Sequence, residues 1–200
     1  MRFTLSSTAL SSKLFALAKV ISNKNSLPIL ADFMFRTEGN TLFITASDSE
    51  NSMTTTIELS DSDIDDSFAI ENHSLLEAVK SFPEQPLTFE ADKNDKIVKI
   101  IYQNGQFSLP IESADVYPVA AKIADIAVSI QLSSALLSEN ISRCLCATAQ
   151  DELRPVMNGV FFDITPEYLT IVSTDGHKLV RNRIYDIKND VAASLILAKK

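Results

Sequence analysis

The sequence predicts an α+β fold built twice over. Two observations carry that expectation: the chain repeats itself at one constant offset, and each copy passes from a helical apolar pattern into segments of β pattern. LSSTALS at residues 5 to 11 matches LSSALLS at 132 to 138, an offset of 127. The offset then persists without a gap, placing Pro28 on Pro155, Ile29 on Val156, Leu30 on Met157, Phe35 on Phe162, Leu42 on Leu169, Ile44 on Ile171 and Asp48 on Asp175. Solenoid repeats run about 20 to 50 residues, so so long a period means a duplicated domain.

The elements follow in order. Leu10, Leu14, Leu17, Ala18 and Ile21 fall at helical spacing, and Leu137, Ile141, Cys144, Leu145 and Thr148 repeat them. Cys144 thereby replaces a core leucine. A polar connection leads to an extended apolar segment (LPILADFMF, RPVMNGVFF), then a turn and an alternating strand (TLFITAS, YLTIVST). In that strand Leu42 and Ile44, like Leu169 and Ile171, face one side of a sheet. SMTTTIEL, PLTFEAD, KIVKIIYQ and GQFSLPI are further strands, with a short helix near SLLEAVKSF. The acidic run SDSDIDDS at 60–67 is expected to be a solvated loop, and 113–125 a connector. The expected domains are 1–121, complete, and 122–200, which reaches only position 73 of the second copy and stops before its second helix.

Composition narrows the class. A chain of 200 residues with 46% hydrophobic and 22% charged content can bury a core. Lys13 and Lys19 interrupt the apolar run a signal peptide needs, and no segment has the ~20 apolar residues of a membrane span, so a cytoplasmic protein is expected. Two cysteines, Cys144 and Cys146, make no disulfide framework, and on a helix they lie roughly 200° apart, so both are taken as structural. A net charge of -8 argues against nucleic-acid binding by bulk attraction, though not against a local basic face.

The stretch TIVSTDGHKL, residues 170 to 179, concentrates polar side chains. A hydrolase would use His177 as base, Asp175 as its orienting group and Ser173 or Thr174 as nucleophile. Neighbours on a strand point to opposite faces and seldom converge on one atom, and a triad is assembled from separate parts of a fold. There is no G-x-S-x-G elbow, no glycine-rich phosphate loop and no nearby second histidine, so neither cofactor nor metal is expected. His177 as a plain turn residue is the other reading. The first copy has SDSEN in the same turn, which makes the shared aspartate structural and Gly176 and His177 the second copy's additions.

MRFTL, NSLPILADF, FSLPIESADVYP, RPVMNGVFFD, VSTDGHKLV and LILAKK, in this order and spacing, resemble the bacterial sliding clamps, the beta subunits of DNA polymerase III. The resemblance implies a non-enzymatic ring of three such domains per chain, two chains closed head to tail around duplex DNA, with helices lining the hole. The first helix then offers Lys13 and Lys24, about 20° apart round its axis; the second copy offers Asn140 and Arg143, and the helix near SLLEAVKSF offers His73 and Lys80. By the resemblance Lys24 and Gln150 stand at DNA-contact positions. The loop Leu153 to Val156 lacks the aromatic residues common there, which removes a stacking contact with single strands.

Also by the resemblance, Met157, Thr174, Gly176, His177, Lys178 and Leu179 line a pocket for short peptides. Those peptides belong to the DNA polymerase III catalytic subunit, the clamp loader, and other DNA polymerases and repair proteins. Lys178 stands where arginine is common, a change that loses planar hydrogen bonding. Phe107 stands at the interface through which the chain pairs with a second copy of itself, where an unpaired strand edge is an association hazard.

Overall fold

The computed structural model describes residues 1–22, 27–48, 51–118, 127–150, 154–187 and 189–199. Two compact units divide the chain, Met1–Ala121 and Lys122–Lys200. No helix of the described residues is long and apolar enough to cross a membrane.

The first unit opens with β1 (Arg2–Ser6) and α1 (Ser7–Leu17), followed by β2 (Asp32–Glu38), β3 (Thr41–Ser47), β4 (Ser52–Glu58), β5 (Asp61–Ser62) and β6 (Ser67–Glu71). Then come α2 (Asn72–Lys80), β7 (Pro86–Asp92), β8 (Ile97–Tyr102) and β9 (Gly105–Ser113). All pairings are antiparallel, in the order β4-β3-β2-β6-β9-β8-β7-β1-β5. Alternation puts Phe3, Phe33, Phe35, Phe68 and Phe89 inside, where they meet Leu10, Leu14 and Leu17 of α1. Phe3 stacks on Phe89 at 5.0 Å and Phe35 on Phe68 at 5.3 Å between ring centroids, geometry that adds to plain burial.

The second unit holds α3 (Ser134–Leu145), β10 (Gly159–Ile164), β11 (Leu169–Thr174), β12 (Leu179–Ile184) and β13 (Ala193–Ala198), in sheet order β12-β11-β10-β13. Cys144 is fully buried with Phe162, Leu169 and Ile171, in the position Leu17 takes in the first unit. The duplication is kept at the level of register. Phe35 pairs Ile44 and Phe68, and Phe162 pairs Ile171 and Leu195; Ser47 pairs Ser52, and Thr174 pairs Leu179. Even the helix starts agree, with Ser6 Oγ accepting from Ala9 N and Ser133 Oγ from Leu136 N, each at 3.2 Å.

Four expectations are corrected. The first helix, expected to run on through Ile21, ends at Leu17 with Ala18 as its C-cap, and Lys24 lies outside the described residues. Both Pro-led segments begin as single 3-10 turns, Pro28–Ala31 and Pro155–Met157, before extending, because the fixed proline φ suits a helical first position. The acidic run is no plain loop: β5 pairs with β1, Asp63 accepts Arg2 N at 2.6 Å, and Asp65 accepts Gly39 N at 2.7 Å. Asn140, expected on an open helix face, is buried and donates to the Leu136 carbonyl at 2.9 Å. Of the connector, Ala114–Val116 is a 3-10 turn and Tyr117 is buried against Leu30 and Ala69, while 119–126 lie outside the described residues.

Candidate functional site

The turn between β11 and β12 is built from the backbone outward. Asp175 Oδ1 accepts the N–H of Lys178 at 2.8 Å and that of His177 at 2.9 Å. These two bonds, Lys178 first, hold the Asp175 carboxyl down to about 2. Thr174 Oγ1 donates to the Lys178 carbonyl at 2.7 Å and accepts from Gly176 N at 3.1 Å. Gly176 sits at φ +88, a left-handed conformation that favours glycine.

The first copy repeats this cage. Asp48 Oδ1 accepts from Asn51 N at 2.6 Å, and Ser47 Oγ donates to the Asn51 carbonyl at 2.9 Å. The shared aspartate is therefore a backbone clamp, as its recurrence in the sequence suggested. Ser49 and Glu50, which stand at the Gly176 and His177 positions, lie outside the described residues.

The catalytic reading fails on this geometry. Asp175 turns its carboxylate to backbone N–H groups of its own turn. The Ser173 hydroxyl is buried and donates to the Cys144 carbonyl at 2.6 Å, and Thr174 serves the turn. No group of ligating side chains suited to a metal ion occurs among the described residues.

What the turn displays is a surface. Gly176, His177, Lys178 and Leu179 are exposed, and Thr174 and Met157 are half-buried. Leu179 is 66% exposed and Val156 68%, unusual openness for side chains of that size. Lys178 is folded back: its Nζ donates to the Cys146 carbonyl at 3.1 Å and lies 3.5 Å from Asp175 Oδ2, leaving its alkyl stem outward. Arg154 stands in the loop that lacks an aromatic residue. Its Nη1 lies 4.0 Å from Met157 Sδ and 3.7 Å from where a Gly176 Cβ would be, so it joins the Pro155 turn to the display turn. Sequence spacing gave no signal for that contact.

The expected DNA-facing side chains fall in both units. In the first unit Lys13 is exposed on α1, which packs against α2, and α2 carries His73 in its first turn and Lys80 at its end, both exposed. Lys80 lies 4.0 Å from Glu77. In the second unit Arg143 pairs with Glu139 at 2.5 Å and Gln150 is exposed beyond α3. Phe107 is half-buried, with Phe82 and Tyr102 at 6.1 Å and 6.2 Å. The segment Gly105–Pro110 pairs with β8 alone, and β6 engages only Ile111–Ser113, so its far edge carries no strand among the described residues.

Residues 1–121 match the family model described as DNA polymerase III beta subunit, N-terminal domain, and residues 131–200 match that of its central domain. The beta sliding clamp of Pseudomonas putida is 26% identical over 180 residues, covering 90% of this chain and 48% of that protein. That of Bacillus subtilis is 25% identical over 208 residues, covering 100% and 54%. The chain thus spans about half the length of the curated relatives it matches. Among solved structures, the DNA polymerase III subunit beta of Pseudomonas aeruginosa superposes with a TM-score of 0.89 at 22% identity, over 99% of this chain and 53% of that one. The Helicobacter pylori beta clamp bound to a DNA ligase peptide gives 0.88 at 21%, over 99% and 56%.

Proposed function

The chain belongs to the DNA polymerase III beta subunit family, and from that premise we propose that it works as part of a cytoplasmic DNA sliding clamp. Such a clamp is a non-catalytic ring that encircles duplex DNA and tethers the replicative polymerase. The observation that carries the reading is the succession of two family domains, in family order, along one duplicated chain. Ring closure calls for a third domain and a second chain, joined head to tail across the face that holds Phe107.

Basic and polar side chains lining the hole, Lys13, Lys24, His73, Lys80, Arg143 and Gln150, would meet phosphates without reading bases, which permits sliding. The display turn would receive linear peptides from the polymerase catalytic subunit, the clamp loader, and other polymerases and repair proteins. A beta clamp bound to a DNA ligase peptide supports that mode of use. Methionine and leucine give an adaptable apolar floor, and glycine permits close approach of a partner backbone.

Retention of the full-length protein on closed circular DNA, with escape from linear ends, is the test of the topological mechanism; equal retention on both would overturn it. For peptide docking, His177→Ala should keep the thermal melt and lose binding of a polymerase-derived peptide. The 200-residue chain alone should bind DNA only weakly at physiological salt, on the order of 10⁻⁴ to 10⁻⁶ M, since nothing links it topologically.

A further inference from the structure

On the first unit a cavity of about 550 Å³ opens beside the Pro28–Ala31 turn. That lies within the roughly 300 to 1,000 Å³ of typical ligand sites. Its walls are apolar, with Leu27, Ile29, Ile111 and Val116 facing it; Leu27 is 49% exposed and Val116 63%. Into these walls are set three carboxylates, Asp32, Glu71 and Glu112.

They differ in what they already hold. Glu71 caps α2, accepting from His73 N at 3.0 Å and Ser74 N at 2.6 Å. Asp32 is only 8% exposed, and the Tyr117 hydroxyl donates to its backbone carbonyl, not its carboxylate, at 3.3 Å. Its carboxylate meets no hydrogen-bond donor or cation among the described residues. Burial, then Glu71 and Glu112, push its carboxyl up to about 6. A largely buried acid that opens only onto a cavity, with no protein partner, is a ready acceptor for a donor or cation brought there.

We propose that this cavity docks a short peptide of a partner protein in which one arginine or lysine is flanked by apolar residues. The basic head meets Asp32 and Glu112, and the flanking side chains rest on Leu27, Ile29 and Val116. Charge selects this occupant. Three carboxylates repel nucleic acid and phosphate groups. A second copy of the same face, brought up by a two-fold axis, would set carboxylates against carboxylates. A bare metal ion does not use apolar walls.

The duplication makes the feature particular to the first unit. Position 32 corresponds to Gly159 in the second copy, where a Cβ would come within 2.7 Å of the Leu197 carbonyl. Glycine supplies no carboxylate there, and a side chain at 159 would strike the Leu197 backbone.

Methyl NMR on the 200-residue chain tests the proposal, with acetyl-Leu-Arg-Leu-Leu-amide as probe and the same peptide carrying citrulline for arginine as control. Saturable shifts are expected at Leu27, Ile29, Ile111 and Val116, with binding about tenfold weaker for the citrulline peptide and for Asp32→Asn. Glu112→Gln, an exposed change that spares the fold, should weaken binding about threefold. Absent or unsaturable shifts, shifts mapping elsewhere, or equal binding of the two peptides would overturn it. So would self-association through these methyls in the absence of peptide. The readout involves no DNA, so its failure leaves the clamp reading untouched.

Discussion

Lys178 donates its ammonium to the carbonyl of Cys146 at 3.1 Å, tying the display turn to the C-terminal cap of α3. A cation at a helix C-terminus meets the unsatisfied carbonyls and the negative end of the macrodipole. Replacing Lys178 with Met keeps the stem and removes the tie. Urea denaturation should show a loss of roughly 0.5 kcal/mol, small because the contact is solvent-exposed.

The Asp175 clamp makes the second unit acid-sensitive. Its carboxyl is held at about 2 in the fold against an ordinary value of 3.8, so the unfolded state takes up the proton first as pH falls. The clamp's contribution is whole above about pH 4 and fades as pH drops toward 2. Thermal melts of wild type and Asp175→Asn should therefore differ most near neutrality and converge in strong acid.

Asp32 has the opposite sign. Its carboxyl is raised to about 6, so between 3.8 and 6 the unfolded chain ionises while the folded one keeps its proton. The group is neutral to stability in acid, grows increasingly unfavourable through that window, and keeps a constant cost above it. The faces around it bring Glu71, Glu112 and the Tyr117 hydroxyl. Asp32→Asn should stabilise the protein at pH 7.5 by about 1 to 3 kcal/mol and leave it unchanged near pH 3.

Gly176→Ala should cost about 1 kcal/mol, measured by chemical denaturation. The loss is conformational, arising from φ +88, because the added Cβ would meet Arg154 Nη1 at an ordinary 3.7 Å. Gly159→Ala should cost more for the opposite reason, its Cβ striking the Leu197 backbone.

The duplication was legible because both copies spend the same residue types on the same backbone tasks. Ser6 and Ser133 cap helices, Asp48 and Asp175 clamp turns, and Phe35 and Phe162 fill matching strand positions. What escaped depends on contacts between distant segments. Nothing local marks Leu17 as the last residue of α1, since Ala18, Val20 and Ile21 go on packing against the core after the helix stops. Asn140 resembles a surface residue, but its amide finds a carbonyl one turn back and turns inward. Asp32 opens a strand as polar residues often do. Its backbone carbonyl meets the hydroxyl of Tyr117, 85 residues later.

Cys144 and Cys146 are the two cysteines of this 200-residue chain, and both belong to the second unit. Cys146 is exposed, while Cys144 is sealed in the core, where burial pushes its thiol up. An alkylating reagent would mark Cys146 at once and Cys144 only when that core opens. The chain thus carries its own stopwatch: the delay between the two labels times the breathing of one unit, and the other, having no thiol, stays silent.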